Sequence, residues 1–367
     1  MKHQRKAWLC LSLLAPAAAM AQTTLGGSNV VFYGKVDLAI DMTNFSSTPT
    51  RGASSSRNLS NDISYWGLRG SEDLGGDMRA YFKLESGFAA DTGSSTGTNS
   101  QLFDRESYVG LGGKWGSIQL GSQWTPSLYL QARSDPFSRQ GNGSGIIMTQ
   151  QSPSNPRGFV GSVTQPNAIQ YNSPLFGGVT AHVLYGLSER VDAPRTVGSM
   201  TDIGLNYLNG PLFIGASYED QIMATTPAGG ALSNRTLALG GSYDFKFIKL
   251  FGYAMKNTIT GSSHDVKAYY AGFNLPIDQS TIKATYSGRK MDNGGNASFF
   301  ALGYYYDLSK RTTLYTSFAH LNNGSATNFG LWPGLKTYSP PPIAGGAGLP
   351  VAGQSVNNLE FGIRHTF

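Results

Sequence analysis

Along most of the chain, apolar and polar side chains alternate one by one, and the 3.6-residue spacing of an amphipathic helix is nearly absent. Between residues 30 and 42, Val30, Phe32, Gly34, Val36, Leu38, Ile40 and Met42 share one face. Tyr33, Lys35, Asp37 and Asp41 share the other. The scheme returns with Met78, Ala80, Phe82 and Leu84 against Arg79, Tyr81, Lys83 and Glu85. It returns again with Ile282, Ala284, Tyr286 and Gly288 against Lys283, Thr285, Ser287 and Arg289. Strands of globular domains most often run about 5–6 residues. Several here run ten or more, near the roughly 9–11 that let a tilted strand cross a bilayer.

The connections between these runs are of two kinds. Seven are tight: DLGG, GKWG, PLFGG, LNGP, FKFIK, PIDQS and LSKR. Eight are longer and polar: Asn44–Asn61, Asp91–Ser100, Thr125–Gln165, Glu189–Met200, Met223–Ser233, Ile259–His264, Met291–Asn296 and Asn322–Gln354. Seven turns and eight loops join 16 strands, and an even count brings both termini to one side. Short turns at one end and long loops at the other predict an all-β fold, a 16-stranded antiparallel transmembrane β-barrel. In hydrocarbon every backbone N–H and C=O must be paired, so a spanning sheet has to close. The last run, Ser355–Phe367, is therefore expected to pair with the first. The ring of Phe367 is expected in the aromatic girdle at the periplasmic interface.

The N-terminus adds an address. MKHQRK is followed by the apolar stretch AWLCLSLLAPAAA and then by Ala19-Met20-Ala21. That three-part layout predicts a signal peptide over 1–21, cleaved after Ala21, with residues 22–367 forming the barrel domain. The apolar core is too short to anchor in a bilayer as a helix. The single cysteine, Cys10, lies inside the leader, so disulfides are not expected to brace the exported chain. The formal net charge is +6, and Lys2, Arg5 and Lys6 of the leader account for half of it. No basic cluster with interleaved aromatics suggests nucleic acid.

Charges within the strands should point into the lumen, because one on the lipid face near mid-membrane costs about 2–4 kcal/mol. Alternation sends Lys35, Arg69, Arg79, Lys83, Lys283 and Arg364 inward, together with Asp37, Glu85 and Glu360. Arg105 shares parity with Val109 and Leu111 and so reads as outward unless a bulge intervenes.

Several stretches resemble a known family. They are VFYGKVDLAID, SYWGLRGSEDLGGDMRAYFKLESGF, FDRESYVGLGGKWGSIQLGSQ, AIQYNSPLFGG, YYYDLSKRTTLY and the closing FGIRHTF. Taken in order, they are similar to the Gram-negative trimeric general porins, especially the beta-proteobacterial type. The resemblance implies a homotrimer of water-filled pores in the outer membrane, in contact with lipid and lipopolysaccharide. It implies a third loop, about 125–165, folded inward to narrow the pore between loop acids and a basic ladder on the wall. It implies that the terminal Phe367 is read by the barrel-assembly machinery, and that Arg105 lies in the pore.

The chain departs from that pattern in its charges. Tyr65 and Thr164 stand where wall arginines are usual, and Ser122 stands in LGSQ where the family has arginine. The loop offers Asp135 against Arg133, Arg139 and Arg157. The expected constriction residues are thus Arg105, Arg69, Lys35, Arg79, Lys83 and Tyr65 on the wall, with Arg133, Asp135 and Arg139 on the loop. Together they predict passive diffusion of ions and small hydrophilic solutes with a weak anion preference.

Other classes fit less well. Hydrolysis would want a histidine beside a nucleophile or paired carboxylates, and His182, His264, His320 and His365 are scattered. No phosphate loop, zinc spacing or calcium loop is present, and no cofactor is expected. A secreted β-sandwich or adhesin shares the alternation but not the asymmetry of turns and loops. A substrate-specific channel is the alternative reading. Its feature is the last long loop, with Trp332, Tyr338 and the stiff run Pro340–Pro342, either a lid or a variable surface loop.

Overall fold

The computed structural model describes residues 23–24, 29–97, 101–150, 163–189, 196–225, 231–260, 265–292, 294–331, 336–337 and 350–367. The expected leader, Arg157, His264, Trp332, Tyr338 and Pro340–Pro342 lie outside the described residues. Among those described, twenty strand pieces form one sheet. Three of them are two-residue pieces, and two are halves of one strand, which leaves 16.

In chain order these are β1 (Val30–Phe45), β2 (Ser54–Asp62 continued by Ser64–Gly75), β3 (Met78–Ala89), β4 (Glu106–Gly113) and β5 (Gly116–Trp124). Two short helices follow, α1 (Pro126–Arg133) and α2 (Ile146–Gln150). Then come β6 (Thr164–Asn172), β7 (Val179–Gly186), β8 (Met200–Asn209), β9 (Leu212–Thr225), β10 (Ala231–Asp244) and β11 (Lys249–Ile259). The last five are β12 (Val266–Ile277), β13 (Ser280–Met291), β14 (Asn296–Asp307), β15 (Thr312–Asn323) and β16 (Val356–Thr366).

Every neighbour pair is antiparallel, and β16 pairs with β1 from Lys35↔Thr366 to Phe45↔Val356. The seam continues past the strand: Gly34 N donates to Phe367 O at 3.1 Å, and Phe367 N to Gly34 O at 3.0 Å. The sheet is a closed barrel without edges. All seven tight connections fall between strands, at the end of the barrel where Val30 and Phe367 lie.

The two faces divide as the alternation requires. Outward positions such as Ile40, Val109, Leu120, Ile203, Leu239 and Ile363 are 40–60 % exposed and apolar, as a lipid-facing wall must be. Near the turn end, Trp115, Phe176, Tyr243, Phe245 and Phe247 also face outward, in the manner of an interfacial aromatic girdle. Inward positions carry the polar groups.

One expected loop is shorter than its composition suggests. Within Asn44–Asn61, residues from Ser54 onward belong to β2 and pair with Leu38–Phe45 of β1. The Ser/Asn-rich stretch SSSRNLSN lacks the apolar beat of a strand, yet backbone pairing with β1 holds it extended. The lower half of β2 pairs with the lower half of β1 in a register one residue out of step, Lys35↔Tyr65 against Leu38↔Asn61. The odd residue is Ile63, at φ 51°. This bulge switches parity, so that Ser60 and Asp62 above it and Tyr65 and Gly67 below it all face inward.

Candidate functional site

The inner wall across β15, β16 and β1–β4 carries a ladder of paired charges. At one end Arg364 Nε donates to Asp37 Oδ2 at 2.5 Å, and Tyr315 OH donates to Asp37 Oδ1 at 2.7 Å. Lys35 Nζ approaches the same Asp37 Oδ2 at 3.4 Å. Asp62 lies 3.7 Å from Arg364 Nη2. Next along the wall, the Tyr65 ring lies between Lys35, at 5.9 Å, and the Arg105 guanidinium, at 4.7 Å. Arg105 Nε donates to Glu85 Oε1 at 2.6 Å. Tyr33 OH donates to Glu85 Oε2 at 2.8 Å. Lys83 reaches Glu85 Oε2 at 3.3 Å and also pairs with Glu106.

Arg105 points into the lumen, against its parity with Val109. It precedes the first residue of β4, and its N–H donates to Glu85 O at 3.2 Å while Glu106 is the registered partner of Glu85. Two successive residues at this strand entry therefore face the same side. Arg69 and Arg79 stand away from this cluster. The Arg69 guanidinium lies 5.1 Å over the Tyr33 ring, one step nearer the turn end. Arg79 is exposed beside the β2–β3 turn, 5.2 Å over Tyr81. Thr164 sits behind Arg105, with its hydroxyl 3.5 Å from the Arg105 carbonyl.

The segment 125–150 packs against the inside of the opposite wall. Thr125 caps α1 by accepting from Leu128 N at 3.2 Å, and Pro126 fits the first turn, where no N–H partner is needed. Asp202 on β8 grips the helix start, accepting from Ser127 N at 3.0 Å and from Ser127 Oγ at 2.9 Å. Tyr270 OH on β12 donates to Gln131 O at 2.8 Å. Beyond α1 the chain turns at Ser138, Arg139 and Gly141, all at positive φ. Asp135 organises that turn. Its carboxylate accepts from Ser144 Oγ at 2.5 Å, Arg139 N at 2.7 Å, Gly145 N at 3.3 Å and Phe137 N at 3.4 Å. Burial pushes this carboxyl above the usual range, and the four donors pull it back.

The far end of the segment docks on β13 and on the seam wall. Asn142 bonds the side chains of Asn358 and Ser317, and Ser287 Oγ donates to Gly145 O at 3.3 Å. Arg133 covers the Phe213 ring at 4.2 Å. Arg139 is pushed down from the ordinary arginine range by burial first and by repulsion from Arg105 across the lumen second. The segment thus brings Arg139 within electrostatic reach of Arg105, leaves Arg133 on the opposite wall over Phe213, and folds its acid into itself.

Two ladder members were not among the candidates read from the sequence. Glu106 follows Arg105 directly, and its parity with Tyr108 and Gly110 marks it as inward. Asp62 was hidden by the bulge at Ile63.

A family model described as Gram-negative porin matches residues 7–326. This chain belongs to the Gram-negative porin family. The porin is similar to outer membrane porin protein 32 of Delftia acidovorans, 31 % identical over 385 residues covering 99 % of this chain and 100 % of the relative. An outer membrane porin of Bordetella pertussis is 30 % identical over 387 residues, covering 89 % of this chain and 98 % of its own. Among solved structures, the anion-selective porin from Comamonas acidovorans superposes with a TM-score of 0.77 at 29 % identity, covering 92 % of this chain and 99 % of that chain. An outer membrane protein of Vibrio cholerae in a trimer form, at 13 % identity and a TM-score of 0.62 over 92 % and 99 % of the two chains, shares the fold. The protein is an outer-membrane porin of a Gram-negative bacterium, a barrel channel for passive diffusion.

Proposed function

We propose that this porin is a weakly anion-preferring diffusion pore whose narrowest section lies between the segment 125–150 and the charge ladder. The observation that carries this reading is the imbalance between the two sides. On the wall, Lys35, Lys83, Arg105 and Arg364 face Asp37, Asp62, Glu85 and Glu106 in equal number, and Asp41 and Glu360 lie buried toward the loop end of the same wall. Across from it, Arg139 faces Arg105 and Arg133 adds positive charge on the opposite wall over Phe213, while Asp135 is 0 % exposed within its own turn. A narrow neck with low-dielectric walls focuses such an excess and raises the local concentration of the opposite ion. The Comamonas relative, described as anion-selective, supports the same sign.

The remaining roles belong to the same reading. The leader 1–21 directs export and is removed, and the ring of Phe367 serves recognition by the barrel-assembly machinery. The working form is a homotrimer embedded in lipid and lipopolysaccharide, and no chemistry is performed on the solutes. Reversal potentials across planar bilayers in a low-salt potassium chloride gradient test the sign. Chloride preference is expected; a potassium-selective channel overturns the reading.

A further inference from the structure

Alternation along β13 points Arg289 into the barrel, where it is 3 % exposed. Its Nη1 donates to the Met148 carbonyl of α2 at 3.2 Å. Its Cζ stands 4.7 Å from the centre of the Phe329 ring. Its Nε and Nη2 have no hydrogen-bond acceptor among the described residues. The surroundings are apolar: Met148, Met291, Phe299, Phe329 and Leu331 belong to one buried cluster. A guanidinium buried with two unfilled donors is strongly disfavoured, so something must normally complete it.

The cover over this cation is held deliberately. Asn323, the last residue of β15, accepts from Phe329 N at 2.8 Å and donates to Phe329 O at 2.9 Å. Its amide also donates to Gln354 O at 2.9 Å, just before β16. The start of the last long loop is thereby turned inward from the loop end of the barrel, and Phe329 is laid on the guanidinium. The ring face attracts the cation but offers no acceptor to Nε and Nη2. Those two nitrogens form one edge of the guanidinium. Their spacing suits two parallel hydrogen bonds to a carboxylate or phosphate.

We propose that Arg289 is an anion-binding site at the extracellular mouth, for a small carboxylate or phosphate-type oxyanion, and that Phe329 is the cover such an anion displaces. Ring and anion compete for one cation. Removing the cover therefore raises apparent affinity, because the binding-competent state becomes more populated. The site lies on β13, apart from the ladder on β15, β16 and β1–β4, so an entering anion would be held once before it meets the neck.

Single-channel currents recorded with inorganic phosphate or succinate added to the extracellular side test this. Wild type should show brief current interruptions that grow with anion concentration. Arg289→Gln should shorten them at least about tenfold, and Phe329→Ala should lengthen them severalfold. Both variants should keep the wild-type sign of the reversal potential and the gel shift of a folded barrel, which separates this site from the proposed selectivity of the neck. Interruptions unchanged in Arg289→Gln, absent in every variant, weakened rather than strengthened by Phe329→Ala, or lost only in Arg105→Gln would each overturn the proposal.

Discussion

Arg105 Nε and Glu85 Oε1 stand 2.6 Å apart, and Lys83 and Tyr33 hold the second oxygen of the same carboxylate. Glu85 therefore screens two bases at once. Glu85→Gln should raise chloride preference, and Arg105→Glu should reverse it. A unit charge about 4 Å from an ion in water is worth roughly 1 kcal/mol, or about fivefold in local concentration. Changes of a few-fold in the permeability ratio are expected from reversal potentials, and no change in either variant would count against the ladder as the neck.

The preference should also fade with salt. The Debye length falls from about 30 Å at 0.01 M to about 3 Å at 1 M. Reversal potentials in gradients of equal ratio and rising mean concentration should approach the value for bulk mobility. A preference that persists at 1 M would point to direct ion binding instead.

Asp202 is the clamp that sets where the inner segment begins, with two hydrogen bonds to Ser127. Asp202→Ala should loosen α1 from β8. The local loss is about 1–3 kcal/mol, typical of leaving a buried donor unpaired. Open-channel noise and conductance should rise, while the thermal transition of the barrel should hardly move. A quiet channel of wild-type conductance would mean that Tyr270 and the seam contacts alone fix the segment.

Phe367 fills a notch made by glycine. A Cβ at Gly34 would lie 2.4 Å from the Phe367 ring and 2.7 Å from the Tyr65 carbonyl, and the ring centre is 5.5 Å from that of Phe32. Phe367→Ala should lose part of the roughly 1.5–3 kcal/mol of a buried phenylalanine and lower the yield of folded barrel in the outer membrane. Gly34→Val should lower it by a different route, through the Tyr65 backbone. Yields of heat-shifting barrel measure both, and a normal yield for Phe367→Ala would refute this role.

Alternation in β1, β3 and β13 made the barrel legible in the sequence, because a membrane wall forbids polar residues on one face and so writes the fold into every second position. The site was less legible. Lys35, Lys83 and Arg105 could be found, but whether their charges are free depends on partners from other strands. Asp62 lies just above a parity switch that Ile63 does not announce, and Arg105 sits where pairing is irregular. The segment's one acid, Asp135, is plain in the sequence. That it faces four donors of its own turn is a matter of tertiary folding.

The ion pair between Asp37 and Arg364 joins residues 327 positions apart. Contacts of such long range form slowly, after most local pairing is in place. Until the final strand arrives, Asp37 has Lys35 of its own strand within reach but lacks the guanidinium of Arg364, its partner at 2.5 Å in the closed ring. The same bond that lines the pore thus ties the first strand to the last, and it exists only where the circle is complete.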